Sequence, residues 1–290
     1  LLSGIAETDW SWTPSLADFD NDGFRDIIIT NGFPKDVTDR DFMAFRSEAE
    51  NLAEKTFILG QIPEVKISNY AYRNKGNLEF EDVTEKWGMD IPSFSNGAVY
   101  ADLDNDGDLD YLVNNINDSA FVFKNNQIEF DKNKESHFLR IKTVGDKSNI
   151  NGLGAVAILE FENGEKMIHE NNPFRGYLSS VEPFIHFGLG AKKLKKLEIQ
   201  WYNGMSQIIL SPKIDQVLEV YIKNATIKTN YSTDLGKQVF EDITDISKLD
   251  FVHKELDFID FNVQNLMPFK LSELGPGMCV GDINGDNLED

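Results

Sequence analysis

Hydrophobic and polar positions along this chain alternate in short runs, and the runs are strand-like. Trp12–Ala17 and Asn96–Ala101 are half-apolar segments, each followed by an acidic stretch and then by Ile27-Ile28-Ile29-Thr30 or Tyr111-Leu112-Val113. Downstream of the first pair, Tyr70–Gly76 and Leu78–Val83 predict a hairpin. Downstream of the second, Ala120–Asn126 and Ile128–Phe130 predict the same hairpin again. Phe240-Glu241-Asp242-Ile243-Thr244 repeats the phrase Phe80-Glu81-Asp82-Val83-Thr84. Four short antiparallel strands per unit, with an acidic loop between the first two, describe a β-propeller blade. One segment breaks the rhythm. Over Asp39–Leu59, residues Phe42, Phe45, Ala49, Leu52 and Ala53 share a helical face, with Thr38 as N-cap and Gly60 as stop. This helix is expected to pack over the first blade, a reading preferred to a lid because no chemically pointed residue accompanies it.

Residues 137–223 carry a second all-β pattern. Leu139 and Ile141 alternate with Arg140 and Lys142, and further strands are expected near Val156–Leu159, Phe184–Phe187, Leu197–Trp201, Gln207–Leu210 and Val217–Ile222. Asn163-Gly164 and Asn203-Gly204 are two-residue hairpin signals. About seven strands in so short a span predict a small sandwich. The fold class is therefore all-β: propeller-type blades over 1–136, a sandwich over 137–223, a polar linker over 224–236 and the start of a further blade over 237–290.

Composition narrows what such a chain can do. Of 290 residues, 41% are hydrophobic and 21 are Phe, enough for real cores and unlike a disordered acidic tail. Lys and Arg number 28 against 49 Asp and Glu, a net charge of -21 that argues against nucleic acid or an anionic membrane as partner. The charge is uneven: -15 over 1–136, +2 over 137–223 and -8 over 224–290. A single cysteine, Cys279, excludes an intrachain disulfide framework and a multi-cysteine zinc site, and reads as a small core residue. No stretch approaches the roughly 20 apolar residues of a membrane helix. Leu1–Trp12 lack the basic start and apolar run of a secretory signal, there is no initiator Met, and Asp290 falls inside a motif. These features predict an internal piece of a longer protein.

The surplus carboxylate is concentrated in a nine-residue pattern that occurs three times. Its copies run Asp18–Asp26, Asp102–Asp110 and Asp282–Asp290, with Asp or Asn at positions 1, 3, 5 and 9. Gly23 and Gly107 hold position 6, and Asn287 stands there in the third copy. A hard cation such as Ca²⁺ takes six to eight oxygens at roughly 2.3–2.6 Å. Alternate side chains converge on one point if the backbone curls. The expected ligands are Asp18, Asp20, Asp22, the Phe24 carbonyl and Asp26 in the first loop. In the second they are Asp102, Asp104, Asp106, the Asp108 carbonyl and Asp110. In the third they are Asp282, Asn284, Asp286, the Leu288 carbonyl and Asp290. An EF-hand would need Glu at position 12, where this chain has Ile29 and Val113. A single such loop would read as a solvated turn; three in one frame read as calcium sites.

These loops and their flanking strands resemble FG-GAP/VCBS repeats, the calcium-loop blades also known from integrin α-subunit propellers. Asp9-Trp10-Ser11-Trp12, Thr30-Asn31-Gly32-Phe33 and Asp36-Val37-Thr38-Asp39 are similar to VCBS-repeat surface proteins of the Bacteroidetes type. The middle segment resembles the ASPIC/UnbV domain through Gly152-Leu153-Gly154-Ala155, Gly176-Tyr177-Leu178-Ser179-Ser180, His186-Phe187-Gly188-Leu189-Gly190 and Trp201 before Asn203-Gly204. Phe174-Arg175-Gly176 departs from the two glycines often found before the Tyr-Leu-Ser phrase. The resemblance implies an extracellular or cell-envelope, calcium-associated module with no catalytic residues.

Enzyme readings find little to hold. Gly188 and Gly190 belong to no Walker or Gly-x-Gly-x-x-Gly frame and are expected in a tight turn. His137, His169, His186 and His253 include no zincin spacing, and His186 reads as a packed core residue. Ser179 and Ser180 lack a nucleophile elbow. Lys192, Lys193, Lys195 and Lys196 read as a solvated strand entry rather than a polyanion site. The expected function is a non-enzymatic surface-binding or adhesion module, with calcium rigidifying the loops and a glycan or protein as ligand. The alternatives are a non-catalytic part of a carbohydrate-active enzyme or polysaccharide-binding protein, and a pure spacer.

Overall fold

The computed structural model describes residues 3–5, 8–49, 52–131 and 136–229, with scattered positions beyond 241. Two compact units divide the chain, Leu1–Asn230 and Tyr231–Asp290. Cys279, Phe240, Glu241, Ile243, Asn284, Asp286, Asn287, Leu288 and Asp290 lie outside the described residues.

Two antiparallel sheets form the N-terminal part of the first unit. The first has the order β1 (Ser11–Ala17), β2 (Asp26–Asn31), β3 (Tyr70–Asn74) and β4 (Phe80–Asp82). The second has β5 (Ser95–Ala101), β6 (Asp110–Asn115) and β7 (Phe121–Phe123). Each has its acidic loop between its first two strands, as expected for blades. The sheets meet over a shared core of Ala17, Phe19, Ile28, Ala71, Val83, Met89, Ala98, Leu109, Tyr111 and Val113. Phe19 stands at its centre with Trp87, Tyr100 and Tyr111 packed edge-on around it.

The second blade lacks its expected fourth strand. Residues Gln127–Phe130 form one helical turn instead. Side-chain acceptors explain the difference. Asn125 Oδ1 takes the Gln127 N–H at 3.1 Å and Asp108 Oδ2 takes the Ile128 N–H at 3.0 Å. Donors that a hairpin would have paired are thus satisfied locally, and the chain coils.

The insertion is two short helices rather than one, α1 (Arg40–Ala49) and α2 (Lys55–Gly60). Its N-cap is Asp39, whose Oδ1 accepts the Phe42 N–H at 2.7 Å; Thr38 instead donates to Asp36. Leu52 is 87% exposed, so the expected single face breaks there. Phe42, Ala49, Ile58 and Ile62 form a small core of their own. The insertion closes at its base, where the Asp36 N–H donates to the Pro63 carbonyl at 2.9 Å.

The sandwich comprises β8 (His137–Val144), β9 (Val156–Phe161), β10 (Lys166–Glu170), β11 (Phe184–Gly190), β12 (Leu194–Gln200), β13 (Met205–Leu210), β14 (Val217–Tyr221) and β15 (Ile227–Lys228). One sheet runs β10-β9-β12-β13-β15 and the other β11-β8-β14, with β14 parallel to β8. Leu139, Ile141, Leu159, Phe187, Leu189, Leu197, Ile199 and Trp201 are fully buried between them. Strand β15 carries the sheet past the boundary expected at 223, through residues read as linker, because Met205 and Ser206 offer it a free edge.

Both Asn-Gly pairs do sit in hairpins, but in three-residue loops. Trp201 N–H reaches the Met205 carbonyl at 2.8 Å, and Gly204 N–H reaches the Trp201 carbonyl at 3.0 Å. Only the glycines, Gly164 and Gly204, take positive φ (86° and 78°). That is a type I turn closed by a bulge at glycine.

Candidate metal centre

The first two loops are each curled by two left-handed residues, not one. Asn21 (φ 57°) and Gly23 (96°) do this in the first loop, Asn105 (62°) and Gly107 (103°) in the second. Gly285, at the fourth position of the third loop, has φ 80°, and its N–H donates to Asp282 Oδ1 at 2.6 Å. The fourth position was missed in the sequence, although Asn, Asn and Gly are the residues that tolerate this conformation.

The curl turns amides inward on to the first carboxylate. Asp18 Oδ1 accepts from Asp22 at 3.1 Å and its Oδ2 from Gly23 at 2.8 Å. Asp102 Oδ2 likewise accepts from Gly107 at 3.2 Å. One carboxylate oxygen from each of Asp18, Asp20 and Asp22 lies within 4.8 Å of the others, and the same holds for Asp102, Asp104 and Asp106. Among the described residues these two triads are the groups with metal-ligand geometry.

In the first two loops the ninth positions act as buckles. Asp26 accepts the Phe19 N–H at 3.0 Å and the Asn74 N–H at 2.9 Å. Asp110 accepts from Leu103 at 2.9 Å and from Asn125 at 2.8 Å. Asn74 and Asn125 in turn donate from Nδ2 to the carbonyls of Arg25 and Leu109 in their own loops. At the seventh positions, Phe24 is half-exposed, whereas the Asp108 side chain is buried.

Each blade also supplies a cation to its loop. Arg73 reaches Asp20 at 2.6 Å and Asp22 at 3.1 Å; Lys124 reaches Asp104 at 2.9 Å. Both directly precede the buckle asparagines. The repeated pairs Arg73-Asn74 and Lys124-Asn125 were therefore legible as a pattern, though not as chemistry.

Burial dominates the electrostatics of these carboxylates. Desolvation and then repulsion from Asp20, Asp22 and Asp26 push Asp18 well above the usual carboxylate range. Burial and neighbouring carboxylates raise Asp20 to about 6, and Asp26 to about 7. Burial raises Asp108 to about 7 and lifts Asp102 in spite of Arg140, while the Lys124 ammonium holds Asp104 low. Three buried oxygens, Asp102 Oδ1, Asp106 Oδ2 and Asp108 Oδ1, have no hydrogen-bond partner. An all-oxygen triad with desolvated, unsatisfied lone pairs fits a hard divalent cation such as Ca²⁺.

The sandwich closes over both loops. Asn21 is the meeting point: its Nδ2 donates to the Gly107 carbonyl at 3.0 Å and its Oδ1 lies 2.8 Å from His186 Nε2. Its backbone carbonyl accepts the Gly190 N–H at 2.9 Å. Gly188 lies within β11 rather than in the expected turn, and its role is close approach. A Cβ there would come within 2.1 Å of Asp18 Oδ2. Arg140, 2% exposed, bridges Asp102 at 2.6 Å and Glu182 at 2.5 Å. Further along, Thr13 Oγ1 accepts the Tyr177 N–H at 3.1 Å, and Ser179 Oγ accepts the Ala98 N–H at 3.2 Å.

His186 and most of the lysine cluster have structural partners. His186 is packed, as expected, with burial depressing its basicity to about 3. The lysine cluster is salt-bridged: Lys192 to Glu165, and Lys195 and Lys196 to Glu160. No helix is long and apolar enough to cross a membrane among the described residues.

Comparison with known proteins agrees with these features. Residues 145–227 match the family described as ASPIC and UnbV, and residues 65–113 match an FG-GAP-like repeat. Cartilage acidic protein 1 of Mus musculus is 25% identical over 213 residues, which cover 72% of this chain and 28% of the relative. The Xenopus tropicalis protein of that name is 24% identical over 255 residues, 76% of this chain and 38% of the relative. The chain thus spans well under half the length of the curated relatives it matches.

Proposed function

From a chain that carries an FG-GAP-like repeat and an ASPIC/UnbV domain, we propose a non-enzymatic, extracellular calcium-binding module. The ions rigidify the acidic loops and, through them, the seat of the sandwich. Asp102 carries this reading. Its Oδ2 is held by Arg140 and Gly107, while its Oδ1 is buried without a partner beside the equally unpartnered Asp106 Oδ2. A desolvated carboxylate oxygen left unmatched costs several kcal/mol, roughly, and a bound divalent cation removes that cost.

Asp18, Asp20 and Asp22 would hold the ion of the first loop, and Asp102, Asp104 and Asp106 that of the second. Calcium supplies positive charge at the centre of each curl. The chain supplies the curl itself through its left-handed fourth and sixth residues and its aspartate buckles. Arg73 and Lys124 compete with the ion for the same carboxylates, which favours the weak, roughly 10⁻⁴–10⁻³ M affinities of extracellular modules.

Thermal melts in millimolar Ca²⁺ and in EDTA test this. A ligand that binds only the folded state raises stability by RT ln(1 + [L]/Kd), so the midpoint should climb with Ca²⁺. Equal midpoints in Ca²⁺ and EDTA would sink the proposal.

A further inference from the structure

A cleft of about 520 Å³ opens between β1, β5 and the sandwich, a size within the usual range for small-molecule sites. Arg25 and Arg175 both line it. Arg25 is pinned in place: its Nε donates to His169 Nε2 at 2.9 Å and its Nη2 to the Ile168 carbonyl at 2.9 Å. Arg175 donates from Nη1 to the Phe174 carbonyl at 3.2 Å. Among the described residues neither guanidinium has a carboxylate within salt-bridge distance, in a chain of net charge -21 where Arg73 and Arg140 each have two. Arg40 and Arg46 lie elsewhere, on the insertion helix.

The other groups facing the cleft set the kind of ligand. His169 and His186 are neutral, since burial first and neighbouring arginines next depress both to about 3. Glu170 is exposed, and Asp18 is buried with both oxygens turned to loop amides. Tyr100, Phe184, Leu16 and Ile168 add apolar wall, and Asn172 adds an amide. An inorganic anion would leave those walls bare. A pyranose ring covers them and brings hydroxyls for Asn172, while an acidic group on it meets the guanidiniums.

We propose that this cleft binds an acidic sugar, with Arg25 and Arg175 receiving its oxyanion. The oxyanion is a uronate carboxylate or a sulfate ester, to either of which a planar guanidinium can donate two parallel hydrogen bonds. Calcium strengthens this binding, a part of the inference that rests on the proposed metal sites. Asp18, one of the proposed ligands of the first loop, lines the same cleft as Arg25, so an ion on that loop would place positive charge beside the ligand's oxyanion.

Isothermal titration of the whole chain with glucuronate, glucose 6-sulfate and neutral glucose, each in Ca²⁺ and in EDTA, tests both parts. One or both acidic sugars should bind in Ca²⁺, whichever binds naming the oxyanion, with glucose at least about tenfold weaker. Arg175→Gln should lower affinity about tenfold, and Arg175→Lys by less, with melting midpoints unchanged in both. No heat from either acidic sugar at several millimolar, roughly the weakest affinity worth assigning, overturns the cleft. Equal binding of glucose, or parental affinity in Arg175→Gln, overturns it as well. A calcium-induced rise in melting midpoint without sugar binding would discard the cleft and keep the loops; sugar binding indifferent to EDTA would discard the linkage.

Discussion

Removing the Arg140 guanidinium would strand Asp102 and Glu182 beneath the sandwich. Breaking a buried pair from one side costs about 3–5 kcal/mol, so Arg140→Met should lower urea-denaturation stability by that order in EDTA. In Ca²⁺ the loss should shrink, because Asp102 keeps a second cation. Gly188→Ala probes the same joint by sterics. Its new methyl would press on Asp18 and Asn21, at a cost of about 1–3 kcal/mol, and should weaken Ca²⁺ binding as well. The raised carboxyls give the sign of the pH response. Asp20, Asp26 and Asp108 have folded values of about 6, 7 and 7, above those of the unfolded chain, so the folded state binds protons more tightly. Their stabilising share is complete below about pH 4 and is lost as pH rises through about 6–7. Melts in EDTA should therefore fall across that window. In Ca²⁺ the trend should reverse, since the ion needs the deprotonated loops. A flat profile in EDTA would contradict the burial of these groups.

At the scale of elements, periodicity was a good guide where a strand packs on one face and a poor one where side chains bond to the backbone. The strands β1–β7 and most of the sandwich strands were readable from the sequence, whereas β15 lay in residues read as linker. The turn at Gln127–Phe130 was not, because Asn125 and Asp108 satisfy amides that alternation assigns to a partner strand. The insertion looked like one helix because its apolar spacing is continuous in sequence, yet Asp39 caps it and exposed Leu52 divides it. In the acidic loops the spacing that brings Asp18, Asp20 and Asp22 together was plain. Their cationic partners were hidden, since Arg73 and Arg140 sit in ordinary strand positions and meet the loops only after folding. The insertion's private core and closed base carry a prediction of their own. Replacing residues 38–62 with a short Gly-Ser linker should leave the calcium-dependent melt unchanged, as surface insertions with meeting ends are dispensable to the sheet beneath. Loss of the folded baseline in circular dichroism would show that the helices support the blade.

For the whole molecule, the joint would make the proposed calcium binding and sandwich docking reciprocal, since an ion that stabilises the seated loops must bind the seated form more tightly. Hydrogen exchange should register this. Adding Ca²⁺ should slow amides in β8 and β11 as well as those in 18–26 and 102–110, because Arg140, Gly188 and Gly190 rest on the loops. Protection confined to the loops would disconnect the two halves.

Asn21 also has a consequence in time. Its partner His186 lies 165 residues further along the chain, and Tyr177 lies 164 beyond Thr13. Contacts so distant in sequence form late and slow a fold that depends on them. During synthesis from the N-terminus, the blades emerge first and wait with their acidic loops uncovered until the sandwich follows. A nascent loop in that interval has repelling carboxylates and no lid, and an ion already in place would hold its curl open for β11 to land on. The first loop of the chain is thus among the last parts of this unit to be finished.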